Sequence, residues 1–220
     1  MKIAIMQPYF FPYLGYFQLI SSVDLFVIYD CVQFSRRGWV HRNRLTSANA
    51  KITWLTLPLK KAPVCTTINR LEFREGSDLV IKDKLRQFPS VCNYIEEQKV
   101  KIGIYTRGNV NVVKYLERTI NEVSEYFSIN TNFIRSSSLN IPQEYTGERR
   151  IIQIAKCLNA STYLNSPGGI GLYNYDTFKD NNIKLRFLST YKGNNISVLE
   201  RICKENKNDL IDEIKNYSFQ

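Results

Sequence analysis

The amino-acid sequence predicts an α/β protein built on a layered parallel sheet, and three observations support this prediction. Short apolar runs alternate with helix-length segments at both ends of the chain, which is the pattern of strands and helices in parallel α/β sheets. The apolar runs are nearly continuous, as expected of strands that are buried on both faces. With 220 residues, of which 44% are hydrophobic, the chain can bury a sizeable core.

The first 44 residues carry the clearest signal of this kind. An apolar run at residues 3–6 stops at Gln7-Pro8, a helix-length piece follows at 12–22, and a second apolar run at 25–29 ends on Asp30. We therefore predict a strand, a turn, a helix and a second strand. Since such sheets bind ligands beyond the carboxyl ends of their strands, the residues after both runs should converge on one edge.

The middle of the chain predicts a small antiparallel β insertion followed by helices. Residues 52–59 alternate between apolar and polar and are expected to pair with residues 66–74, which gives a β-hairpin insertion over 52–75. A helical segment over 77–127 follows, with Ser77 as the first cap. The helices expected in it lie at 79–88, where Pro89 ends the first, and at 110–127, with further helical pieces in 91–108.

The last third of the chain returns to alternating strands and helices. Strands are expected at residues 131–135, 162–164 and 183–188, and helices at 148–158, 175–180 and 197–217, the last as one helix or a pair. No linker demands a second domain, so we predict a single domain over residues 1–220. The whole order is that of a Rossmann-like layered parallel sheet with flanking helices and a small antiparallel β insertion.

Composition narrows the classes of partner. The net charge of +10 favours anionic partners, but Lys and Arg are spread along the chain, which argues against nucleic acid. Five cysteines without a C-x-x-C pair and a single histidine argue against a zinc site, and no cofactor is expected. The odd cysteine count, the short apolar windows and the lack of a convincing signal peptide predict a cytoplasmic protein without a membrane span.

A tract between Gln33 and Arg44 concentrates cationic, aromatic and imidazole side chains. Guanidinium groups suit phosphates and carboxylates, and an indole stacks on a flat ring. The tract therefore predicts a site for an anionic ligand with a flat face; the alternative is a solvated basic loop. Its members of interest are Arg36, Arg37, Trp39, His41, Arg42, Asn43 and Arg44.

A glycine-rich loop, NSPGGIGLY at residues 165–173, follows the strand expected at 162–164. Glycine backbone N–H groups can approach an anion or a planar ligand closely, although a structural turn is the alternative. The loop has neither the P-loop nor the dinucleotide-binding glycine spacing. Together with the basic tract, it gives the residues that we predict to bind substrate, which are Gln7, Tyr9, Arg37, Trp39, Arg42, Asn43, Arg44, Lys60, Asn165, Gly168, Gly169 and Tyr173.

Two residues are candidates for proton transfer. Asp30, at a strand end, can accept a proton from an amine or bind a sugar hydroxyl; the alternative is that it caps the next turn or pairs with Arg44. His41 has the one side chain whose ordinary pKa suits proton transfer near neutrality, although the arginines beside it disfavour its charged form. Cys31 is a weaker candidate, as a thiol nucleophile.

Five stretches carry a resemblance to a known family. In chain order they read MQPYFFPYLGYFQLI, FVIYDCVQF, GWVHRNRL, WLTLPL and NSPGGIGLY. Together they resemble the WbqC-like family of bacterial proteins found with surface-polysaccharide genes, and the resemblance covers most of the chain. The family usually shows two consecutive acids where this chain has Asp30-Cys31, and usually Asn where this chain has His41.

The resemblance implies an enzyme of surface-polysaccharide (O-antigen, lipopolysaccharide) biosynthesis, most concretely an acyl or aminoacyl transferase acting on the amine of a nucleotide-linked amino sugar. Under this hypothesis the arginines hold the pyrophosphate, Asp30 or His41 takes the amine proton, and the backbone at 168–169 stabilises the oxyanion or positions the donor. The donor would be acyl-CoA or an acyl-carrier protein, whose acidic surface suits a basic chain.

Three other functions stay open. The first is a non-catalytic protein that binds a sugar nucleotide or a partner, and the second is a nucleotidyltransferase-like enzyme. The third, which has the weakest support, is a nucleic-acid-binding protein. The second of these rests on Tyr13-Leu14-Gly15-Tyr16, which stands where nucleotidyltransferases and class I synthetases carry His-x-Gly-His. Because both imidazoles are replaced by phenols, the groups that stabilise charge on transferring phosphates are missing, which argues against adenylyl transfer.

Overall fold

The computed structural model describes residues 1–97, 102–106 and 111–220. In chain order its strands are β1 (Lys2–Met6), β2 (Leu25–Ile28), β3 (Arg42–Thr46), β4 (Ile52–Thr56), β5 (Asn132–Arg135), β6 (Thr162–Asn165) and β7 (Lys184–Phe187). The α-helices of these residues are α1 (Leu14–Ser21), α2 (Ser77–Leu85), α3 (Pro89–Glu96), α4 (Val112–Tyr126), α5 (Gly147–Cys157), α6 (Tyr175–Asp180), α7 (Val198–Lys204) and α8 (Lys207–Lys215). Short 3-10 helices lie at Ile68–Arg70, Ser136–Leu139 and Pro167–Leu172.

The larger sheet has five strands in the order β5-β2-β1-β6-β7, and each of its four pairings is parallel. From β1 the chain adds β2 and β5 on one side, then returns to add β6 and β7 on the other side. In open sheets of this kind, the loops after the two strands at such a reversal separate and leave a crevice at the carboxyl edge. The topology therefore places the candidate ligand site between the ends of β1 and β6.

Two apolar layers cover this sheet, one on each face. Side chains alternate along each strand, so Ala4 and Phe26 face one layer while Ile3, Ile5 and Val27 face the other. The larger layer contains apolar residues of α1, α4, α7 and α8, and the smaller contains those of α5 and α6. The prediction of an α/β protein with a mostly parallel sheet is thus confirmed. In the described residues, no helix is long and apolar enough to cross a membrane.

The small antiparallel sheet is present, but its strands differ from those expected. Residues 52–59 were expected to pair with 66–74; instead β4 pairs with β3, whose first three residues are the end of the basic tract. Pro58 interrupts the ladder after β4 because proline has no N–H to donate. Of residues 66–74, three form the 3-10 helix Ile68–Arg70, and a single bridge joins Leu59 and Phe73.

The segment expected to be helical holds α2, α3 and α4. Pro89 begins α3 as its first residue, where the missing N–H is harmless. Ser77 is the first helical residue of α2 rather than its cap, and Gly76 takes the capping position with a left-handed φ of 67°. Of the helical pieces expected over 91–108, residues 98–101 and 107–108 lie outside the described residues, as does Val110 of the next expected helix.

Candidate functional site

The candidate site is a cleft of about 610 Å³ between the carboxyl ends of β1 and β6. Four segments build most of it: the loop after β1 with the start of α1, the end of the basic tract, the glycine-rich loop after β6, and the loop before α7. Tyr29 after β2 and Ile151 of α5 also line the cleft. The residues predicted to bind substrate that line the cleft are Gln7, Tyr9, Trp39, Asn43, Arg44, Asn165, Gly168, Gly169 and Tyr173. Other residues that line the cleft were not among the predicted ones; they include Tyr13, Tyr16, Tyr29, Ser166 and Asn195.

The turn between β1 and α1 adopts an uncommon backbone conformation. Phe11 has a φ of 42°, in the left-handed region that costs free energy for a bulky residue. Its carbonyl oxygen accepts hydrogen bonds from Asn43 Nδ2 at 2.6 Å and Ser197 Oγ at 2.8 Å. Asn43 Nδ2 also donates to the carbonyl of Phe10 at 3.1 Å, and the Phe10 amide donates to the carbonyl of Trp39 at 2.9 Å. These bonds fix the turn against the basic tract.

Asn43 is therefore a structural residue of the cleft wall. Its side chain is 3% exposed, and its Oδ1 accepts the backbone amide of Arg44 at 2.7 Å. All three polar bonds of the side chain go to main-chain groups, so little of its hydrogen-bonding capacity is left for a ligand. What Asn43 gives the site is the position of Arg44 and of the turn before α1.

Tyrosine side chains form much of the cleft wall. The rings of Tyr9 and Tyr16 lie 5.6 Å apart, and the Tyr16 hydroxyl donates to the carbonyl of Gln7 at 2.8 Å. Burial raises the pKa of Tyr9 and Tyr16 above its ordinary value and raises the pKa of Tyr29 to about 12. At neutral pH these phenols are protonated, so they serve as hydrogen-bond donors and acceptors and not as bases.

Arg44 brings a positive charge to the cleft wall. Its guanidinium carbon lies 5.1 Å from the ring centre of Trp39 and 5.9 Å from that of Trp54, and the two indoles are 5.3 Å apart. Within the part of the chain that the structure describes, Arg44 forms no ion pair with a carboxylate. A cation held on aromatic faces keeps its N–H groups free for an anionic ligand.

The other arginines of the tract do not line the cleft. Arg42 lies 4.2 Å from the Trp54 ring centre and donates to the carbonyl of Arg37 at 2.8 Å and that of Gly38 at 3.4 Å. These bonds tie the tract to the β3–β4 hairpin. The Arg37 side chain is exposed to solvent. Substrate binding by Arg37 and Arg42 stays a prediction to which the geometry adds no contact.

The glycine-rich loop folds as the 3-10 helix Pro167–Leu172 at the far wall of the cleft. Asn165 Oδ1 accepts the amide of Ser166 at 2.8 Å, and the Gly169 amide donates to the carbonyl of Ser166 at 3.0 Å. A Cβ built at Gly169 would overlap Asn165 Nδ2 and approach Tyr173, so a side chain there would displace the Asn165 amide group. At Gly168 a Cβ would meet open space, which leaves that position facing the cleft.

Asp30, expected to transfer protons, lies outside the cleft lining. The carboxyl group is 1% exposed. Its Oδ1 accepts the Ser136 hydroxyl and the Ser137 amide, each at 2.9 Å, and its Oδ2 accepts the Ser137 hydroxyl at 2.6 Å. Asp30 thus holds the start of the 3-10 helix Ser136–Leu139 after β5. The sequence-based alternative was a cap of the next turn, whereas the segment that Asp30 caps begins more than a hundred residues away.

Cys31 packs beside this carboxyl group. Its Sγ lies 3.0 Å from the Ser136 hydroxyl and accepts a hydrogen bond from Arg150 Nε at 3.3 Å. The Arg150 guanidinium also donates to the carbonyls of Ile141, Pro142 and Tyr145. Like Asp30, Cys31 does not line the cleft.

His41 and Lys60 lie in a second pocket, and none of the described residues lines both this pocket and the cleft. The His41 ring packs edge-on against Phe34 with 5.0 Å between ring centres. Burial, with a smaller contribution from the nearby Arg42 and Lys84 charges, lowers the pKa of His41 to about 4. His41 is therefore uncharged at neutral pH and separated from the cleft, so the expected proton transfer in the cleft has no support from its position.

Three of the added cleft residues, Tyr13, Tyr16 and Asn195, differ in how clearly the sequence indicates them. Tyr13 and Tyr16 belong to the motif after β1, where their spacing over a strand–turn–helix gave a detectable signal. Asn195 precedes α7 and belongs to no motif. It reaches the cleft because the amide of Val198 bonds the carbonyl of Pro12 at 3.0 Å and Ser197 bonds Phe11, contacts that sequence alone does not reveal.

Comparisons with known proteins agree with the resemblance found in the sequence. A family model described as the WbqC-like protein family matches residues 7–195, a range that contains every cleft residue except Ile5 and Met6. Among curated proteins, the chain is similar to the uncharacterized protein Rv1507c of Mycobacterium tuberculosis, with 24% identity over 198 residues, covering 84% of this chain and 80% of that protein. No solved structure matches the chain.

Proposed function

The chain belongs to the WbqC-like protein family, and from this premise we propose that its cleft binds a nucleotide-linked amino sugar used in bacterial surface-polysaccharide (O-antigen) biosynthesis. The observation that carries the proposal is the position of Arg44: a cation without a carboxylate partner among the described residues, held against Trp39 at the wall of an aromatic cleft. Such a pair suits a ligand that joins phosphate to flat rings.

The cleft matches this class of ligand in size and lining. Its volume of about 610 Å³ falls within the usual range for small-molecule sites. Phenol, amide and backbone groups surround the aromatic faces, and such groups hydrogen-bond sugar hydroxyls while the rings stack on base or sugar. The strand order, 3-2-1-4-5 when counted within the large sheet, is also that of the first five strands of Rossmann-like nucleotide-binding folds. The Rossmann-like assignment rests on this order.

The chemistry of the lining favours binding over proton transfer. No Asp, Glu, His, Lys or Cys is among the described residues that line the cleft, and burial keeps the cleft tyrosines protonated. Acyl or aminoacyl transfer to the sugar amine, as the resemblance implies, would have to depend on positioning the two reactants. Adenylyl transfer has even less support, since the Tyr16 hydroxyl is engaged with the carbonyl of Gln7. The function that we propose is therefore sugar-nucleotide binding, and the acyl donor stays a prediction.

Intrinsic fluorescence tests this proposal because the chain has only two tryptophans, Trp39 and Trp54, and their rings lie against each other at Arg44. Titration with uridine- and thymidine-diphospho amino sugars should give a saturable change in tryptophan emission. Arg44→Ala should weaken binding about 10- to 100-fold, the effect of losing about 1.5–3 kcal/mol of charge-assisted hydrogen bonding to phosphate.

Arg149→Ala is the matched control, since Arg149 is exposed on α5 and outside the cleft. It should bind as the unmodified protein does. The proposal fails if no sugar nucleotide changes the emission, or if Arg44→Ala and Arg149→Ala behave alike. Free nucleotide and free amino sugar, titrated in parallel, show which half of the ligand carries the affinity.

A further inference from the structure

A second pocket, of about 430 Å³, has basic side chains at six of its twelve described lining residues. It is built from the first part of the basic tract, the chain after β4 and the helix α2, and no residue lines both this pocket and the cleft. We call it the basic pocket and define it by six residues, which are Arg36, His41, Lys60, Lys61, Arg74 and Lys84.

Four of the five Lys and Arg side chains in the basic pocket have no carboxylate partner among the described residues. Among the described residues, no Asp or Glu lines the basic pocket. Lys60 pairs with Glu72 at 2.6 Å, on a surface where both side chains are exposed. Arg36 donates to the carbonyl of Ala62, and Lys84 donates to the carbonyl of Thr56 at 2.9 Å. Carbonyl groups orient these two cations without cancelling their charge.

The cations also disfavour one another. Burial lowers the pKa of Lys84, and the charge of Arg74 lowers it further. For His41 the pKa falls to about 4, chiefly through burial and then through Arg42 and Lys84. A group whose charged form is disfavoured by like charges regains that stability when an anion arrives. The arrangement thus favours an anionic occupant over an empty pocket.

We propose that the basic pocket is a second ligand site, which binds the pyrophosphate or paired phosphate groups of a small molecule. Four of the five Lys and Arg side chains of the pocket have no carboxylate partner among the described residues, and their combined charge exceeds what one phosphate monoester, with a charge of about −2, would balance. Phe34, Leu57 and Leu59 add apolar lining for the organic part of the ligand. The concave shape and the volume suit a small molecule, whereas nucleic acid is bound on extended basic surfaces. The proposal is independent of the function proposed for the cleft.

His41 gives a selective readout because it is the only histidine in the chain and it lines the basic pocket. Its imidazole C–H resonances can be followed by NMR while inorganic pyrophosphate is added at constant ionic strength. We expect a saturable shift of these resonances and a rise in the pKa of His41. Inorganic phosphate should act more weakly, and coenzyme A, with its diphosphate and 3′-phosphate, should act at least as strongly as pyrophosphate.

Matched variants assign the effect to this pocket. Lys61→Gln with Arg74→Gln removes two exposed cations of the pocket, neither with a side-chain partner among the described residues, and should weaken pyrophosphate binding at least tenfold. Arg70→Gln with Lys82→Gln removes two exposed cations outside it and should bind as the unmodified protein does. Equal affinity in both variants, or no saturable shift of the His41 resonances with any probe, overturns the proposal. Tryptophan emission, which reports on the cleft, tests the other proposal separately.

Discussion

The cleft and the basic pocket use neighbouring residues of one segment but hold positive charge in different ways. Among the described residues that line the cleft, Arg44 is the single cation and lies against two indoles, and the rest of the lining is aromatic, amide, hydroxyl or apolar. In the basic pocket five Lys and Arg side chains surround a small apolar lining, with His41 uncharged among them. The first arrangement suits a ligand with rings and one anionic group, and the second suits concentrated negative charge.

The difference shows that basic residues close in sequence need not serve one ligand. Arg36 and His41 line the basic pocket, and Arg44 lines the cleft. Arg42 donates a hydrogen bond to the carbonyl of Arg37, within the tract. Arg42 and Arg44 lie two residues apart in β3 and share one face of that strand, whereas Arg36 and His41 precede it. Because each site has its own spectroscopic reporter, variants can be used to affect one site while the other is monitored.

The largest effect is expected from Asn43→Ala, which should damage the cleft and leave the basic pocket intact. The change removes two hydrogen bonds, one to the carbonyl of Phe10 and one to that of Phe11. These buried carbonyl groups then have fewer hydrogen-bond donors. We expect the free energy of unfolding to fall by about 2–3 kcal/mol, measured by urea denaturation, with loss of sugar-nucleotide binding and retention of the His41 shift by pyrophosphate.

Asn195→Ala is the matched control for this prediction. Asn195 also lines the cleft but is exposed, so the substitution should change the free energy of unfolding by less than about 0.5 kcal/mol. If Asn43→Ala were as stable as Asn195→Ala, the turn before α1 would not depend on Asn43, and the difference that we draw between wall-building and ligand-facing residues would be lost.

The sheet was predictable because its strands are short apolar runs whose pattern is local. The strands expected at residues 3–6, 25–29, 131–135, 162–164 and 183–188 appear, within a residue or two, as β1, β2, β5, β6 and β7. The partner of residues 52–56 was not predictable in the same way. Residues 66–74 alternate in sequence, whereas 42–46 read Arg-Asn-Arg-Leu-Thr and alternate only in burial. The burial of Asn43 depends on its bonds to the distant carbonyls of Phe10 and Phe11, so the pairing of β4 with β3 has no local signal.

The site was predictable at the level of segments and less so at the level of roles. The strand ends, the basic tract and the glycine-rich loop meet at one edge. The roles of Asp30 and Asn43 depend on partners far away in sequence, Ser136 in one case and Phe11 in the other. From sequence alone, a polar residue beside a strand end is equally consistent with a ligand contact and with a cap. The tertiary structure distinguishes the two roles.

A moderate effect is expected from Asp30→Asn, which tests whether the cleft extends to this residue. The substitution keeps the shape of the side chain but removes the charge of the carboxylate, whose oxygens accept hydrogen bonds from Ser136 and Ser137. We expect a loss of about 1–2 kcal/mol in the free energy of unfolding with unchanged affinity for the sugar nucleotide. Unchanged stability together with lost affinity or lost transfer would instead place Asp30 at the ligand, as the sequence predicted.

The smallest effect concerns pH and the basic pocket. The folded-state pKa of His41, about 4, lies below its ordinary value of 6.5, so the unfolded chain binds more protons between these values. Stability from this group is therefore full above pH 6.5 and is lost as the pH falls toward 4. Since His41 is partly exposed, we expect only about 1 kcal/mol between pH 7 and pH 5. His41→Asn should remove this slope, measured by urea denaturation at each pH.

Pyrophosphate sharpens the same measurement. A bound anion raises the pKa of His41 toward its ordinary value, so saturating pyrophosphate should flatten the pH dependence of the unmodified protein and leave that of His41→Asn unchanged. The ligand of the cleft should do neither, because Arg44 and His41 line different cavities. If the cleft ligand changed the slope as much as pyrophosphate does, the two sites would be coupled, and the division of charge between them would have to be replaced by a single continuous binding surface.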